Sequence, residues 1–543
     1  MLFGRPLRSS RLTIRVHVDA FVLEPLGYMQ AVFWRVCGLK LRSRNRLAAL
    51  MGRSPNAYRL WIEKIEPVLQ AGLLEVASEA LVSIIPVVDA SASGGSLGDT
   101  IDSITNAGGS IPVIVGGEAQ PGVRHVRRPS DLAQLVSSSG SWLCIVSGGD
   151  LLAPQALNIY GKLAASAETA TIIYSDDDLS EGGKRHSPHF KSHWNPDLYA
   201  HHDFITGSAI LRVTPDMLTG LSGDDWATHL VQSAIAKGGT PHHLPAVLHH
   251  RRHRPAPIIP DKVAPVFEQS APSVAVIVPT RNHLSYLRKC IEGVRSCPHP
   301  AVELIVVDNG SDDPETLDYL SRLESEGAQI LRVAGDFNFS ALNNLAAKHA
   351  QADLLCFLNN DVEIVDRDWL SWLVRQAVRP EVGAVGGRLL YPDGTVQHAG
   401  VVIGVGGGAA HAHKNVGGSD EGYFLRDRLP QRVTAVTAAC LVVTKEKFLA
   451  VGGFDEVDFP VAFNDVDLCL KLNARGWQSF YEPRAILVHH ESKSRGSDRS
   501  KRNRARFAGE LAALKRRWAT DRKRDPYHHP NLSPFCEQFT ISV

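Results

Sequence analysis

The sequence predicts an α/β protein in which one architecture is built twice in tandem, with an α-rich segment before it and a basic amphipathic helix after it. Three observations lead there. From Leu81 onward, short apolar strands alternate with segments of helical periodicity, the pattern of a parallel sheet with crossover helices. The alternation restarts near Ser273 with its landmarks kept: Pro86 and Pro279, and Pro121 and Pro314, share an offset of 193, while Asp150 and Asp361 are 211 apart. Near the end of each copy an Asp precedes a His by 24 residues, Asp225 to His249 and Asp465 to His489. Ordered self-similarity of this kind marks a repeated fold. The expected division is an α-rich segment at 1–80, a first copy at 81–255, a charged and Pro-rich linker at 256–272, a second copy at 273–496, and a basic helix with tail at 497–543.

Bulk properties narrow the function classes. A chain of 543 residues exceeds what one hydrophobic core serves, and 44% hydrophobic residues suffice for more than one. A net charge of +1 supplies no global field toward nucleic acid, so none is expected as a partner. The eight cysteines form no CxxC pair and sit mostly in apolar runs, which predicts reduced, buried thiols and a cytoplasmic protein. The first residues, MLFGRPLRSSRLTIRVHVDAFVL, are broken by Arg11, Arg15 and Asp19, so no secretory signal is expected. Nowhere do about eighteen apolar residues follow one another, so no bilayer-spanning helix is expected. Residues 1–80 show helical spacing late on, in Tyr58, Trp61, Ile62, Ile65 and Val68, and no function follows from them.

The second copy concentrates polar residues at strand ends. LLCFLNNDVEI runs apolar from Leu354 to Leu358 and then turns abruptly to Asn359, Asn360 and Asp361, as a strand buried on both faces does where it surfaces. VAVIVPT delivers Thr280, Arg281 and Asn282, and ELIVVDNGS delivers Asp308 and Asn309. Three strands thus release polar groups at one edge, where an open α/β sheet binds nucleotides. A carboxylate there suits a hard divalent cation; a solvated Asn-rich turn is the plain alternative. An Asp ending the second strand suits a base or ribose, or simply caps the next turn. Asn338, Asn343 and Asn344 lie in or beside a helix that Ser340 could cap; they could face a ligand or satisfy the backbone. Asp465 falls in a first helical turn, where the macrodipole keeps it anionic, as a general base must be. RAILVHHES ends a strand on His489 and His490, which could complete a metal shell with Asp361.

Taken in order and spacing, PTRN, VDNGSDDP, FNFSALNN, FLNNDVE, GGFDE, NDVDLCLKLNARGW and HHESKSRG resemble the family 2 inverting glycosyltransferases of the GT-A fold, close to bacterial rhamnosyltransferase and O-antigen biosynthesis proteins. The resemblance implies two tandem GT-A (nucleotide-diphospho-sugar transferase, Rossmann-like) domains, the first degenerate. It implies Asp465 as the catalytic base, and Pro279, Thr280, Arg281, Asn282, Asp308, Asn338, Asn359, Asn360 and Arg495 at the donor. Asp361 with His489 or His490 would hold a divalent metal, Mg or Mn. One departure weakens that metal site: the first carboxylate of the family's DxD is Asn359 here. The implied partners are a dTDP-, UDP- or GDP-sugar and a growing, lipid-linked glycan.

The first copy keeps Asp150, Asp225 and His249, but its second strand ends in Val115, Gly116 and Gly117, and about 18 residues are missing before Asp150. A non-catalytic or acceptor-binding domain is expected. The run Asp176, Asp177, Asp178 is expected to be a solvated acidic turn, with binding of acceptor hydroxyls as the alternative. Gly404 to Ala409 matches a dinucleotide fingerprint, but the next stretch, HAHKNVGGSDEG, is too polar for the required helix, so a nicotinamide oxidoreductase is disfavoured and a loop beside the donor site is expected. His398, His411 and His413 could suggest a metal site, but a substrate-facing or solvated loop is expected. From Lys493 to Asp525 there are thirteen Lys and Arg against four Asp and Glu, and Phe507, Leu511, Leu514 and Trp518 form one stripe. That helix either docks on the second copy or touches anionic lipid on the inner face of the plasma membrane. The rival from another class is a scaffold whose two copies only hold glycan or partner enzymes.

Overall fold

The computed structural model describes residues 5–76, 81–91, 95–167, 169–265, 271–490 and 501–543. Among them are two large mixed sheets. The first runs, strand by hydrogen-bonded strand, Arg124–Val126, Val113–Val115, Ile84–Asp89, Ser141–Ser147, Ala209–Val213, Ile172–Glu181, Pro241–Arg251 and Leu151–Leu152. The second runs Gln329–Arg332, Val302–Asp308, Val274–Thr280, Leu354–Leu358, Cys440–Thr444, Val382–Leu390, Gln478–His489 and Val362–Ile364. In both, the third, second, first and fourth strands of the copy lie side by side, and the last long strand carries the short strand that comes after the fourth. One connectivity therefore occurs twice.

Apolar runs produce the central strands because both faces are covered. Every residue of Val274–Thr280 and of Leu354–Leu358 is buried, and the two pair in parallel with Ile277 beside Phe357. The helix Leu284–Arg295 covers one face with Leu287, Cys290, Ile291 and Val294. The helix Phe339–His349 covers the other with Leu342 and Ala346. Each Leu, Ile or Val among them taken from water contributes roughly 2 kcal/mol. The first copy has only the short 3₁₀ segment Pro129–Leu135 where the second has Phe339–His349, in line with the shorter spacing before Asp150. Between Arg251 and Val274 the described residues form neither helix nor strand.

The acidic run corrects an expectation. Asp176, Asp177 and Asp178 are buried inside the strand Ile172–Glu181, and each carboxylate is engaged. Asp176 lies 2.8 Å from both His243 and His529; Asp177 meets Lys191 and Arg254, each at 2.7 Å; Asp178 accepts from Tyr58 and Arg185, each at 2.5 Å, and pairs with His250 at 2.7 Å. Burial alone would raise the Asp177 carboxyl, but the cations Lys191, Arg254 and Arg251 hold it well below the usual range. Alternation along a strand could not reveal this, because the partners come from distant segments. Tyr58 belongs to the helix Ala57–Lys64 and His529 to the carboxyl tail, so the run ties both to the first sheet.

The amino-terminal segment is helical: Arg5–Leu23, Pro25–Val36, Lys40–Gly52, Ala57–Lys64 and Glu66–Val76. The basic helix Lys501–Trp518 is docked on the second copy. Leu514 is fully buried, Phe507 packs on Phe463, and the Arg517 guanidinium reaches Asp455, Asp458 and Asp467 at 2.7–2.9 Å. All cysteines except Cys37 and Cys297 are buried. No described helix is long and apolar enough to cross a membrane.

Candidate active site

The polar ends of the second sheet open into a cavity of about 970 Å³. Pro279, Thr280 and Arg281 reach it from the end of Val274–Thr280, and Asn359, Asn360 and Asp361 from the end of Leu354–Leu358. Asn338 enters beside the helix Phe339–His349, His489 from the end of Gln478–His489, and Asp465 from the start of the helix Asn464–Ala474. Asp361 and Asp465, 104 positions apart in sequence, therefore share one space.

Asp465 is placed there by backbone strain and local hydrogen bonds. Phe463 has φ +60°, a left-handed conformation costly for a side chain of that size, and it turns the chain sharply into the helix Asn464–Ala474. Asp465 is the second residue of that helix, with Oδ2 accepting from the Ala438 N–H at 3.1 Å and Oδ1 from the Val466 N–H at 2.8 Å. The preceding loop is held by Glu510 of the docked helix, whose Oε1 accepts from Val461 N–H at 2.9 Å and Ala462 N–H at 3.1 Å. Asn503, Arg506 and Phe507 of the same helix line the cavity.

His489 and Asp361 form a pair that could hold a cation. The Oε1 of Gln397 takes the Nδ1 hydrogen of His489 at 2.7 Å, and the Gln397 amide is oriented by its own Nε2 donating to the His489 carbonyl at 3.4 Å. That tautomer leaves Nε2 as a lone pair, and it points at Oδ1 of Asp361, 3.1 Å away. Two acceptors so close are favourable only with a proton or a metal ion between them. The donor set, one imidazole oriented by an amide carbonyl and one carboxylate, fits a divalent cation that accepts nitrogen and oxygen. Asn359 contributes an amide rather than a charge, its Nδ2 lying 3.3 Å from the same Nε2.

Other sequence candidates separate. His490 pairs with Glu363 at 3.0 Å and stacks near Tyr286, and it does not line the cavity; the strand pleat sends adjacent side chains to opposite faces, so only one His of the pair can serve. Asn282 is not in the lining either: its Oδ1 accepts from Asp312 and Asp313 N–H and its Nδ2 donates to Asp312, stapling two loops at the sheet edge. Asp308 stands beside Thr280 in register but closes its own turn, with Oδ1 accepting from the N–H and hydroxyl of Ser311, just after Gly310 at φ +74°. Asn360 holds Thr280 Oγ1 at 3.0 Å. Asn338 caps its helix by accepting from Ala341 N–H, and Asn343 and Asn344 both donate to backbone carbonyls. Arg495 lies outside the described residues.

Several contributors carried no motif. Gln397 sits in an unremarkable strand, and Asp336, Thr437 and Ala438 in loops. His411 lines the cavity, whereas His398 and His413 are buried, and burial holds the His398 imidazole well below its ordinary pKa. The glycine run joins the two strands of the hairpin Val401–Ile403 and Ala409–His411 rather than opening a long helix, so the dinucleotide fingerprint lacks its structural context.

In the first copy the same landmarks do not converge. Asp150 is buried and its Oδ1 accepts from the Arg252 N–H at 2.7 Å. Asp225 is exposed and lies one residue before its helix, whereas Asp465 lies inside one. The strand register also corrects the sequence pairing of the histidines: Val362, next to Asp361, pairs with His489, while Leu151, next to Asp150, pairs with His250 rather than His249. His250 is committed to Asp178 and His249 to Tyr160. Asp176, His243 and His529 are close enough to hold a metal, but Asn531 N–H donates to His529 Nδ1 at 2.9 Å. That places the His529 hydrogen on Nε2, and the 2.8 Å contact of this nitrogen with Oδ2 of Asp176 fastens the tail to the first sheet.

Residues 275–426 match the family model described as Glycosyl transferase family 2. Among curated proteins, the chain is 37% identical over 465 residues to the uncharacterized protein y4gI of Sinorhizobium fredii, covering 77% of this chain and 51% of that one. It is 33% identical over 442 residues to the O-antigen biosynthesis protein RfbC of Myxococcus xanthus, covering 73% of this chain and 34% of that one. It is 34% identical over 119 residues to the O-antigen chain rhamnosyltransferase RfbN of Salmonella typhimurium, covering 22% and 37%. The chain thus spans about half or less of the length of these relatives. Among solved structures, the mannosyltransferase PcManGT from Pyrobaculum calidifontis, in complex with GDP-Man and Mn2+, aligns at 19% identity and a TM-score of 0.35, over 48% of this chain and 68% of its own.

Proposed function

From the premise that residues 275–426 belong to a glycosyl transferase family 2 domain, we propose that the protein is an inverting glycosyltransferase that moves a hexosyl or rhamnosyl unit from a nucleotide-sugar to a growing, lipid-linked surface glycan. The observation that carries this reading is the cavity shared by Asp361 and Asp465. Relatives named for O-antigen biosynthesis support the glycan class. A dTDP-, UDP- or GDP-sugar lies with its diphosphate toward Asp361 and His489 and its sugar toward Asp465. The work is assigned to the cytoplasmic side, where nucleotide-sugars are made.

Asp465 accepts the proton of the acceptor hydroxyl as that oxygen attacks the sugar C1. The new C1–O bond forms on the face opposite the breaking bond to the diphosphate oxygen, which leaves with the electron pair, and the anomeric centre inverts. Asp361 and His489 would hold a divalent cation, Mg or Mn, which supplies positive charge beside the departing diphosphate. Arg281 and Arg506, both at the cavity wall, add cationic side chains around the same anion. The Phe507 ring and the docked helix narrow the access of water. The first copy is assigned a non-catalytic role, supported by the commitment of Asp150 to Arg252 and of His250 to Asp178.

The test is transfer from a panel of nucleotide-sugars by the intact chain and by Asp465→Asn. A loss of about 10²- to 10⁴-fold in kcat with nucleotide binding kept is expected for a general base. Absence of transfer and hydrolysis with every donor, in the presence of Mg or Mn, would favour the scaffold reading instead.

A further inference from the structure

The helices Arg5–Leu23 and Pro25–Val36 are amphipathic in the wrong sense for water. On Pro25–Val36 the inward positions are the small residues Gly27 and Ala31, while Leu26 is 87% exposed, Phe33 63% and Val36 82%. Met29 belongs to the same outward stripe, at the three- and four-residue spacing of a single helix face. On Arg5–Leu23, Leu12 and Val16 pack inward on Leu60, Ala20 is buried on the same side, and the opposite face shows Ile14, Val18 and Val22. Exposed apolar stripes on two helices that pack on each other exceed what isolated exposed side chains explain and mark a contact site.

The charges around that surface select its partner. Arg11, Arg15 and Arg35 are exposed on these two helices, and Lys40, Arg42 and Arg44 on the next, Lys40–Gly52. The segment from Arg11 to Arg53 has only two acids, and both are engaged: Asp19 accepts from Ser54 Oγ at 2.6 Å and Asn56 Nδ2 at 2.9 Å, and Glu24 pairs with Arg46 and Arg53. The outward field is therefore positive around an apolar centre. A second copy meeting this face about a two-fold axis would set arginine against arginine. An anionic bilayer surface offers acyl chains to the centre and phosphate groups to the rim, with long arginine stems reaching outward to the headgroups.

We propose that these helices are a peripheral membrane-docking surface for anionic lipid. The face lies in the interface plane and does not span it, since no described helix is apolar enough to cross. The basic helix Lys501–Trp518 is not the anchor, because its apolar stripe is spent on the second copy. This inference does not rest on sugar transfer; an inactive scaffold with the same helices would partition alike.

The experiment is co-sedimentation of the full chain with phosphatidylcholine vesicles and with vesicles half phosphatidylglycerol, at low and high salt. The expected result is binding to the anionic vesicles, weakened by salt and by neutral lipid. Leu26→Ser/Phe33→Ser/Val36→Ser should lower that binding about tenfold or more, and Arg11→Gln/Arg15→Gln/Arg42→Gln should remove the preference for anionic lipid. Unchanged circular dichroism and thermal midpoint would establish that both variants are folded, as fits substitution at exposed positions. A chain that stays in the supernatant with anionic vesicles, or a Ser variant that binds as well as the parent, overturns the proposal. So does a sedimentation-equilibrium dimer abolished by the Ser changes, which would assign the face to a second copy.

Discussion

The Nε2 of His489 stands 3.1 Å from Oδ1 of Asp361 while its Nδ1 hydrogen is held by Gln397 at 2.7 Å. The amide thus acts on the imidazole from behind, fixing which nitrogen faces the carboxylate. Gln397→Leu removes that control with little change in volume. Affinity for Mn, measured by calorimetry, should fall about 10- to 100-fold, the usual effect of losing an outer partner of a ligating His. Nucleotide binding measured with metal chelated should not change. Unaltered Mn affinity in the folded variant would show that Gln397 does not orient a ligand.

Asn359 occupies the position beside this pair without bringing a charge, its Nδ2 being 3.3 Å from His489 Nε2. A carboxylate there would add a second anionic oxygen to a site that otherwise has one. Asn359→Asp should tighten Mn binding by about tenfold and shift the metal concentration for half-maximal transfer downward. Weaker or equal Mn binding with an unchanged melting curve would count against a cation between Asp361 and His489.

The legible part of this protein was what local pattern encodes. Apolar runs ending in Asn359, Asn360 and Asp361, or in Thr280, marked strands and the edge where they surface, because a strand buried on both faces has no other way to stop. Asp465 was recognisable from its place in a first helical turn. What stayed hidden depends on partners far off in the chain. The carboxylates of Asp176, Asp177 and Asp178 look solvated until His529 and Tyr58 arrive from opposite ends of the sequence. Gln397 has no motif, and its role appears only once His489 is placed against it. The choice between His489 and His490, and between His249 and His250, is a matter of strand register, which sequence spacing fixes only to within a residue.

The docked carboxyl-terminal helix controls the loop that delivers Asp465. Arg517 reaches Asp455, Asp458 and the fully buried Asp467, and Trp518 Nε1 donates to Asp467 at 2.8 Å. Arg517→Ala leaves Asp467 with less compensation but is partly solvent-screened, so the expected loss is about 2 kcal/mol in urea denaturation. Glu510→Gln keeps the shape and weakens the hold on Val461 and Ala462. It should lower kcat more than it raises KM, because the loop positions Asp465, the proposed base, rather than the donor. A variant that changed KM alone would place the loop on the donor side.

Stability should fall as pH drops below neutrality, because several imidazoles are buried. Burial, with Lys191 nearby, pushes His202 down to about 4; burial, with Arg426 nearby, pushes His413 and His528 down to about 3. Each binds its proton more weakly folded than unfolded, so the unfolded chain takes up protons first as pH descends from about 6.5, and stability is lost from there toward the folded values. The slope is at most about 1.4 kcal/mol per pH unit for each group. Asp150, Asp427 and Asp525, raised chiefly by burial, act in the opposite sense, but only from the point where carboxyls begin to protonate. The urea midpoint should therefore drop steadily between pH 7 and pH 5, and His202→Phe, whose ring can keep the stack on His189 and Phe424, should flatten that slope. A midpoint that stayed level from pH 7 to pH 5 would mean that these imidazoles are hydrated in the folded protein and titrate as they do in the unfolded chain.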